Sequence, residues 1–262
     1  MARSPKNPET MVVDLSSGKK IYFASDLHLG IPTREKSRER EKAFVQWLTE
    51  AEKDAALIVL AGDLFDFWFE YKHVVPRGHV RLLGKLAELH EKGIEVWVFK
   101  GNHDMWMKQY LVEECGVKIF EKNVIIEAGG KKIECGHGDA LGPGDKGYKF
   151  IKKLFGCRFL QWLYARFHPN FAFGLALFFS KSSRLANEGE DEEFKGEDKE
   201  FIIRYIKEVP EEKRADFYVF GHRHLPLDLE IDKAKYINLG EWVHHKTYAV
   251  FDGEVSLEKF EC

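Results

Sequence analysis

The sequence predicts an α/β sandwich built on mixed sheets, and three observations carry that reading. Apolar strands alternate with amphipathic helices through the first half of the chain. Short strands joined by tight turns dominate its end. Five of the strands run directly into a Gly or Ser followed by Asp, Asn or His.

Taken in order, Lys20–Ser25 (KIYFAS) reads as a strand that leads into Asp26. Glu35–Lys53 reads as a helix with Ala43, Phe44, Trp47, Leu48 and Ala51 on one face. Ala55–Ala61 (AALIVLA) is apolar throughout, as in a strand buried on both faces, and leads to Asp63. A helix over Arg81–Lys92 ends at Gly93, and a strand over Ile94–Lys100 runs into Gly101-Asn102-His103-Asp104. Asn123–Glu127 and Lys131–Cys135 form a hairpin across Gly129-Gly130, and its second strand enters Gly136-His137-Gly138-Asp139. Phe217–Phe220 leads into Gly221-His222-Arg223-His224. Tyr236–Leu239, Thr247–Phe251 and Val255–Phe260 complete the strands, the last two around Asp252-Gly253. The acidic segment Asn187–Glu200 reads as a solvated loop leading into a helix over Lys199–Glu208.

Composition excludes several classes. With 262 residues, 44% hydrophobic and 32% charged, the chain is neither disordered nor collagen-like nor a small disulfide scaffold. A net charge of −3 lacks the basic footprint of a general nucleic-acid binder, so no nucleic-acid partner is expected. Four cysteines without a CxxC pair read as reduced thiols of a cytoplasmic protein. The first twenty residues lack the apolar core of a signal peptide. The uncharged run Phe167–Ser180 is 14 residues long and contains Pro169, short of the roughly 20 that a spanning helix needs.

The five blocks carry the chemistry: Ser25-Asp26-Leu27-His28, Gly62-Asp63-Leu64-Phe65-Asp66, Gly101-Asn102-His103-Asp104, Gly136-His137-Gly138-Asp139 and Gly221-His222-Arg223-His224. Strand carboxyl ends are where open α/β sheets place ligands, so five ends of one sheet are expected to converge on one crevice. Carboxylates and imidazoles crowded there repel or lose charge unless a cation joins them. Hard oxygens mixed with imidazole nitrogens, and no cysteine, suit Mn²⁺, Fe²⁺, Zn²⁺ or Mg²⁺. Seven candidate ligands exceed the need of one ion. The remaining histidines (His73, His79, His90, His168, His244 and His245) fall outside the pattern and read as surface or packing residues.

These blocks, all present and in order, resemble the metal-binding signature of the calcineurin-like metallophosphoesterases. The resemblance implies a two-sheet αββα sandwich. It implies that Asp26, His28, Asp63 and His224 hold one metal, and that Asp63, Asn102, His137 and His222 hold a second, with Asp63 bridging. A metal-bridging hydroxide would then attack phosphorus, as two metals about 3.5–4 Å apart allow. By the same resemblance His103 donates to the phosphoryl or leaving oxygen, and Asp104 would orient that imidazole.

Spacing locates an addition to this plan. The blocks start at Asp26, Asp63, Asn102 and His137, and the fifth follows only at His222. Roughly 40–50 residues are extra there, too many for a structureless loop. Residues 148–180 hold eight of the chain's 21 Phe, interleaved with or flanked by Lys149, Lys152, Lys153, Arg158, Arg166, Lys181 and Arg184. Residues 20–140 and 200–262 are therefore expected to form the core, and 141–199 a helical, Phe-rich lid insertion with an acidic loop. The aromatic insert reads either as a cap packed on the body or as a shelter for acyl chains edged by cations for phosphate or an anionic membrane.

Gly62-Asp63-Leu64-Phe65-Asp66-Phe67-Trp68, the Asp145-Lys146-Gly147-Tyr148 run after His137-Gly138-Asp139, and Asn238-Leu239-Gly240-Glu241-Trp242 look like the UDP-2,3-diacylglucosamine hydrolases of lipid A biosynthesis. That resemblance spans about residues 20–260. It implies cleavage of UDP-2,3-diacylglucosamine to UMP and 2,3-diacylglucosamine 1-phosphate, two Mn²⁺ ions, and a peripheral place on the cytoplasmic face of the inner membrane. Tyr148 and Arg184 fall in segments resembling the family's substrate contacts. Where many members carry Arg, this chain has His103, the residue of the wider superfamily. Other readings are a phosphodiesterase or phosphatase for nucleotides or phosphoproteins, and a catalytically silent scaffold.

Overall fold

The computed structural model describes residues 8–142, 146–187, 194 and 196–261, and of residues 17, 146 and 181–187 the backbone alone. In chain order the elements begin with β1 (Glu9–Val12), β2 (Lys20–Ala24), α1 (Arg34–Ala51), β3 (Ala55–Leu60), α2 (Val80–Glu91) and β4 (Glu95–Phe99). Next come α3 (Tyr110–Cys115), β5 (Lys118–Phe120), β6 (Val124–Ala128) and β7 (Lys131–Gly136). Three helices follow: α4 (Lys146–Phe155), α5 (Arg158–Tyr164) and α6 (Pro169–Asn187). The chain ends with α7 (Phe201–Glu208), β8 (Phe217–Phe220), β9 (Pro226–Ile231), β10 (Ala234–Leu239), β11 (Thr247–Phe251) and β12 (Val255–Lys259).

The strands form two six-stranded sheets, ordered β1-β6-β7-β8-β10-β9 and β12-β11-β2-β3-β4-β5. Both are mixed: β2, β3, β4 and β5 run parallel, and β11 joins β2 antiparallel. Strand alternation builds the layers. In β3, Leu57 and Val59 point between the sheets, where they join Ile21, Phe23, Ile133, Val219 and Ile237. Ile58 and Leu60 point the other way, onto Phe44, Trp47 and Leu48 of α1 and Leu82, Leu86 and Leu89 of α2. On the far side Ile202, Ile203 and Ile206 of α7 cover Tyr218, Phe220 and Tyr236. The α/β sandwich expected from the alternation of strands and helices is the fold observed.

Two differences from the sequence reading have physical causes. Strands β1, β5 and β9 and helix α3 are additions to that reading: β1 is mostly exposed, β5 has 3 residues, and β9, though Leu227, Leu229 and Ile231 alternate, opens on a proline at the sheet edge. The five blocks also leave two sheets rather than one. β2, β3 and β4 come from one sheet and β7 and β8 from the other. Parallel strands in packed sheets bring their carboxyl ends to a common edge of the sandwich, so convergence survives.

Candidate metal centre

The loops that follow these strands adopt backbone that side chains rarely take. Asp26, His28, Asp63, His222 and His224 all have positive φ, between 45° and 70°. Such conformations cluster at ligand sites, where the surroundings over-determine them. Close approach also requires glycine at two positions. A Cβ on Gly101 would stand 2.1 Å from Asp63 Oδ1, and one on Gly221 would stand 2.4 Å from Asp26 Oδ2.

The side chains gather into two linked groups. In the first, the ligand atoms of Asp26, His28, Asp63 and His224 all lie within 4.8 Å of one another. His28 Nε2 is 3.1 Å from His224 Nε2, and His224 Nε2 is 3.2 Å from Asp26 Oδ1. In the second, Asn102 Oδ1 lies 3.0 Å from His137 Nε2 and 2.9 Å from His222 Nδ1. Asp63 Oδ2 is 3.4 Å from His137 Nε2 and 3.9 Å from His28 Nε2, so it faces both groups.

The donor set fits cations. Asp26 Oδ2 accepts from the His222 amide at 3.0 Å, and Asp63 Oδ1 accepts from the His103 amide at 2.8 Å. Their other oxygens, Asp26 Oδ1 and Asp63 Oδ2, are buried and face imidazole nitrogens, His224 Nε2 at 3.2 Å and His137 Nε2 at 3.4 Å. Buried carboxylate oxygens are costly unless donors or positive charge face them. His137 Nδ1 donates to the Ala61 carbonyl at 2.9 Å, which leaves Nε2 to face two acceptor oxygens, Asn102 Oδ1 and Asp63 Oδ2. Burial opposes a charge on that ring, yet Asp63 and then Asp26 and Asp139 outweigh it and carry its pKa up to about 10. The cluster thus demands positive charge at this point, and a divalent cation would meet the demand directly. Burial holds His28 down at about 3 and, with His137 adding to it, His222 at about 4, so both rings are neutral.

His103 lies at the edge of this cluster, its ring 4.9 Å from that of His28 and perpendicular to it. Its expected partner is displaced. The Asp104 carboxylate is fully buried and accepts from the amides of Gly101 and Leu64, both at 2.8 Å. Burial and the nearby Asp63 raise its pKa to about 7. It braces two loops, whereas the His103 ring is held by Asp66. His103 Nδ1 lies 3.1 Å from the Asp66 carbonyl and 3.7 Å from its carboxylate. Ser180 of α6 donates to that carboxylate at 3.2 Å. Asp66 stands within the second block, three residues beyond Asp63, but Ser180 has no sequence signal beyond its place in the insert. The Asn238-Leu239-Gly240-Glu241-Trp242 run braces rather than ligates. Asn238 Nδ2 donates to Gly221 O at 2.7 Å, and the Trp242 amide donates to Asp26 O at 3.1 Å.

Helices α4–α6 adjoin the centre at three further points. Tyr148 and Lys152 of α4 donate to buried Asp139 at 2.5 and 2.6 Å, and the Tyr148 ring lies 6.2 Å from that of His222. Trp106 Nε1 donates to the Phe155 carbonyl at 2.8 Å. Phe67 and Trp106 pack on Tyr164 and Phe173 of the helices. The outer face is bare: Phe150, Phe155, Phe159, Phe167, Phe171, Phe178 and Phe179 are between 44% and 66% exposed. Of the eight, Phe173 packs on Phe67 and Phe155 lies edge-on against Trp106, the contacts with the body that a packed cap requires. The Arg184 side chain, Asp145 and most of the acidic segment lie outside the described residues. No helix among the described residues is long and apolar enough to cross a membrane.

Comparison with known proteins identifies the family. Residues 19–226 match the calcineurin-like phosphoesterase family. A UDP-2,3-diacylglucosamine hydrolase of Porphyromonas gingivalis is 36% identical over 253 residues, 89% of this chain and 94% of that one. The Photorhabdus laumondii enzyme of the same name is 26% identical over 247 residues, 91% of this chain and 98% of its own. Among solved structures, an E. coli phosphoesterase aligns over 92% of this chain and all of its own at 13% identity and a TM-score of 0.47. The chain belongs to the calcineurin-like phosphoesterases, metal-dependent hydrolases of phosphoesters and phosphoanhydrides, among relatives named UDP-2,3-diacylglucosamine hydrolase.

Proposed function

We propose that the protein hydrolyses the pyrophosphate of UDP-2,3-diacylglucosamine, releasing UMP and 2,3-diacylglucosamine 1-phosphate. The observation that carries this reading is the juxtaposition of the metal centre with an apolar helical face. Ser180 of α6 reaches Asp66 beside His103, while the outer side of the same helices bares seven phenylalanines. A phosphoryl group and acyl chains need such neighbours.

Asp26, His28, Asp63 and His224 would hold one divalent cation, and Asp63, Asn102, His137 and His222 a second, with Mn²⁺ the ion of choice. Bound there, the ions supply Lewis acidity toward water and toward the phosphoryl oxygens. The chain's own residues do the rest. His103, its Nδ1 proton engaged by Asp66, presents Nε2 to the phosphoryl or leaving oxygen. Tyr148 and Arg184 contact the substrate. Residues 141–199 form a lid whose exposed phenylalanines shelter the acyl chains and rest on the membrane. Lys153 and Arg166 add positive charge toward anionic lipid on the cytoplasmic face of the inner membrane.

The test is incubation of the purified chain with Mn²⁺ and UDP-2,3-diacylglucosamine in ¹⁸O-labelled water, with mass detection of the products. Labelled UMP is expected and assigns attack to its phosphorus. Hydrolysis of bis(p-nitrophenyl) phosphate without any action on the lipid would instead favour a nucleotide or phosphoprotein enzyme.

A further inference from the structure

We propose that Arg40 is a positioning residue that shapes the half of the metal centre built on Asp26 and His28. It would do so by fixing the backbone of the loop that carries both. This inference rests on the two-cation reading above.

Arg40 projects from α1 and is 5% exposed. Its guanidinium does not pair with a carboxylate but with three carbonyls of a single loop. Nε donates to Leu27 O at 2.6 Å, and Nη2 donates to His28 O and to Ile31 O, both at 2.7 Å. Asp26 and His28, on either side of Leu27, both have left-handed backbone, with φ of 55° and 45°. A loop holding two non-glycine residues in that region persists only if its peptide groups are held from outside. They are. The Asp26 carbonyl takes the Trp242 amide, and the amides of Asp26 and His28 donate to Gly62 O and Asp63 O. The carbonyls of Leu27 and His28 are those that Arg40 supplies. Without it, two buried acceptors lose charge-assisted donors and the strained turn loses its clamp.

The chemistry selects arginine. A planar fork reaches acceptors at different angles from one rigid group, which a lysine ammonium cannot do with the same geometry. Burial lowers the guanidinium's pKa to about 10, and buried Glu241 opposes that shift electrostatically. The selectivity is in the connections. Of the ligands, Arg40 grips the backbone of the loop of Asp26 and His28, which serves the first group of four. Asn102, His137 and His222 stand on loops after β4, β7 and β8.

The test is Mn²⁺ binding by titration calorimetry and by electron paramagnetic resonance, on the full chain, Arg40→Ala and Arg40→Lys, each with and without methylguanidinium. Thermal unfolding serves as the control for folding. Wild type is expected to bind two ions and show a spin-coupled spectrum. In Arg40→Ala one ion should keep its affinity and the other weaken about 10–100-fold, the usual cost of removing a residue that supports a ligand. The spectrum should then become that of an isolated ion. Arg40→Lys should shift the same affinity, and methylguanidinium should restore it in Arg40→Ala. Two ions bound at wild-type affinity in both variants would overturn the proposal. Equal weakening of both ions without response to methylguanidinium would overturn it too, as a general loss of structure. A wild-type chain that binds no Mn²⁺ would overturn the metal-centre reading itself, and this inference with it.

Discussion

His103 and its support can be separated from the ligands by substitution. The imidazole sits outside the two groups of four but within ring contact of His28. His103→Ala should therefore lower turnover by about 10²–10⁴-fold, the range for loss of a general acid, with bound metal unchanged by elemental analysis. Unchanged turnover would remove it from the reaction. Because Asp66 acts through His103, Asp66→Ala and His103→Ala should be strongly non-additive in a double-mutant cycle. Away from the centre, Glu134 is buried on β7 and its pKa is raised by burial, against the bonds it accepts from Tyr205 and Asn123. The folded state thus binds that proton more tightly than the unfolded one, whose value is near 4.5. Its contribution is most favourable at low pH and is lost as pH rises through the folded pKa. Glu134→Gln keeps an acceptor for both donors. Its thermal midpoint should exceed the wild type's at pH 7 and lose that advantage toward pH 4; a constant difference across that span would contradict the assignment.

At the scale of elements, the proposed function would have the helices between β7 and α7 decide which phosphoester fits. Their inner face is packed on Phe67 and Trp106, and their outer face is not. Phe178 and Phe179 are 65% and 62% exposed, so replacing them removes little buried area from the fold. Phe178→Ser with Phe179→Ser should leave the unfolding midpoint within a degree or two. It should raise KM for a long-chain diacyl substrate about tenfold or more, with activity on a water-soluble phosphodiester unaltered. Equal effects on both substrates would place these side chains outside acyl recognition. The same scale shows what the sequence makes legible. Each candidate ligand follows an apolar strand with a Gly or Ser before it, so Asp26, Asp63, Asn102, His137 and His222 are readable from local pattern. Partnerships across the fold are not. The Asp104 side chain is next to His103 in sequence yet turns into the body, while Ser180 arrives from 114 residues away to bond Asp66. Arg40 is likewise hidden in a run of charged helix residues whose solvated appearance masks the two charged side chains, Arg40 and Glu41, that turn inward.

For the whole molecule, the two sheets bring the candidate ligands together, through loops tied to one another by backbone bonds and to α1 by the Arg40 guanidinium. Cations that bind only this arrangement must stabilise it. Each Mn²⁺ site at a hundredfold excess over its dissociation constant adds about 2.7 kcal/mol, so the unfolding midpoint should rise with Mn²⁺ and fall back with chelator. The most direct test of the account is a metal titration of catalysis. Chelated, metal-free chain is supplied with increasing Mn²⁺ and UDP-2,3-diacylglucosamine, with bound metal and UMP measured in parallel. UMP formation should be absent without metal and should saturate as two ions per chain are bound. UMP released by the metal-free chain, or two bound ions without UMP, would contradict it.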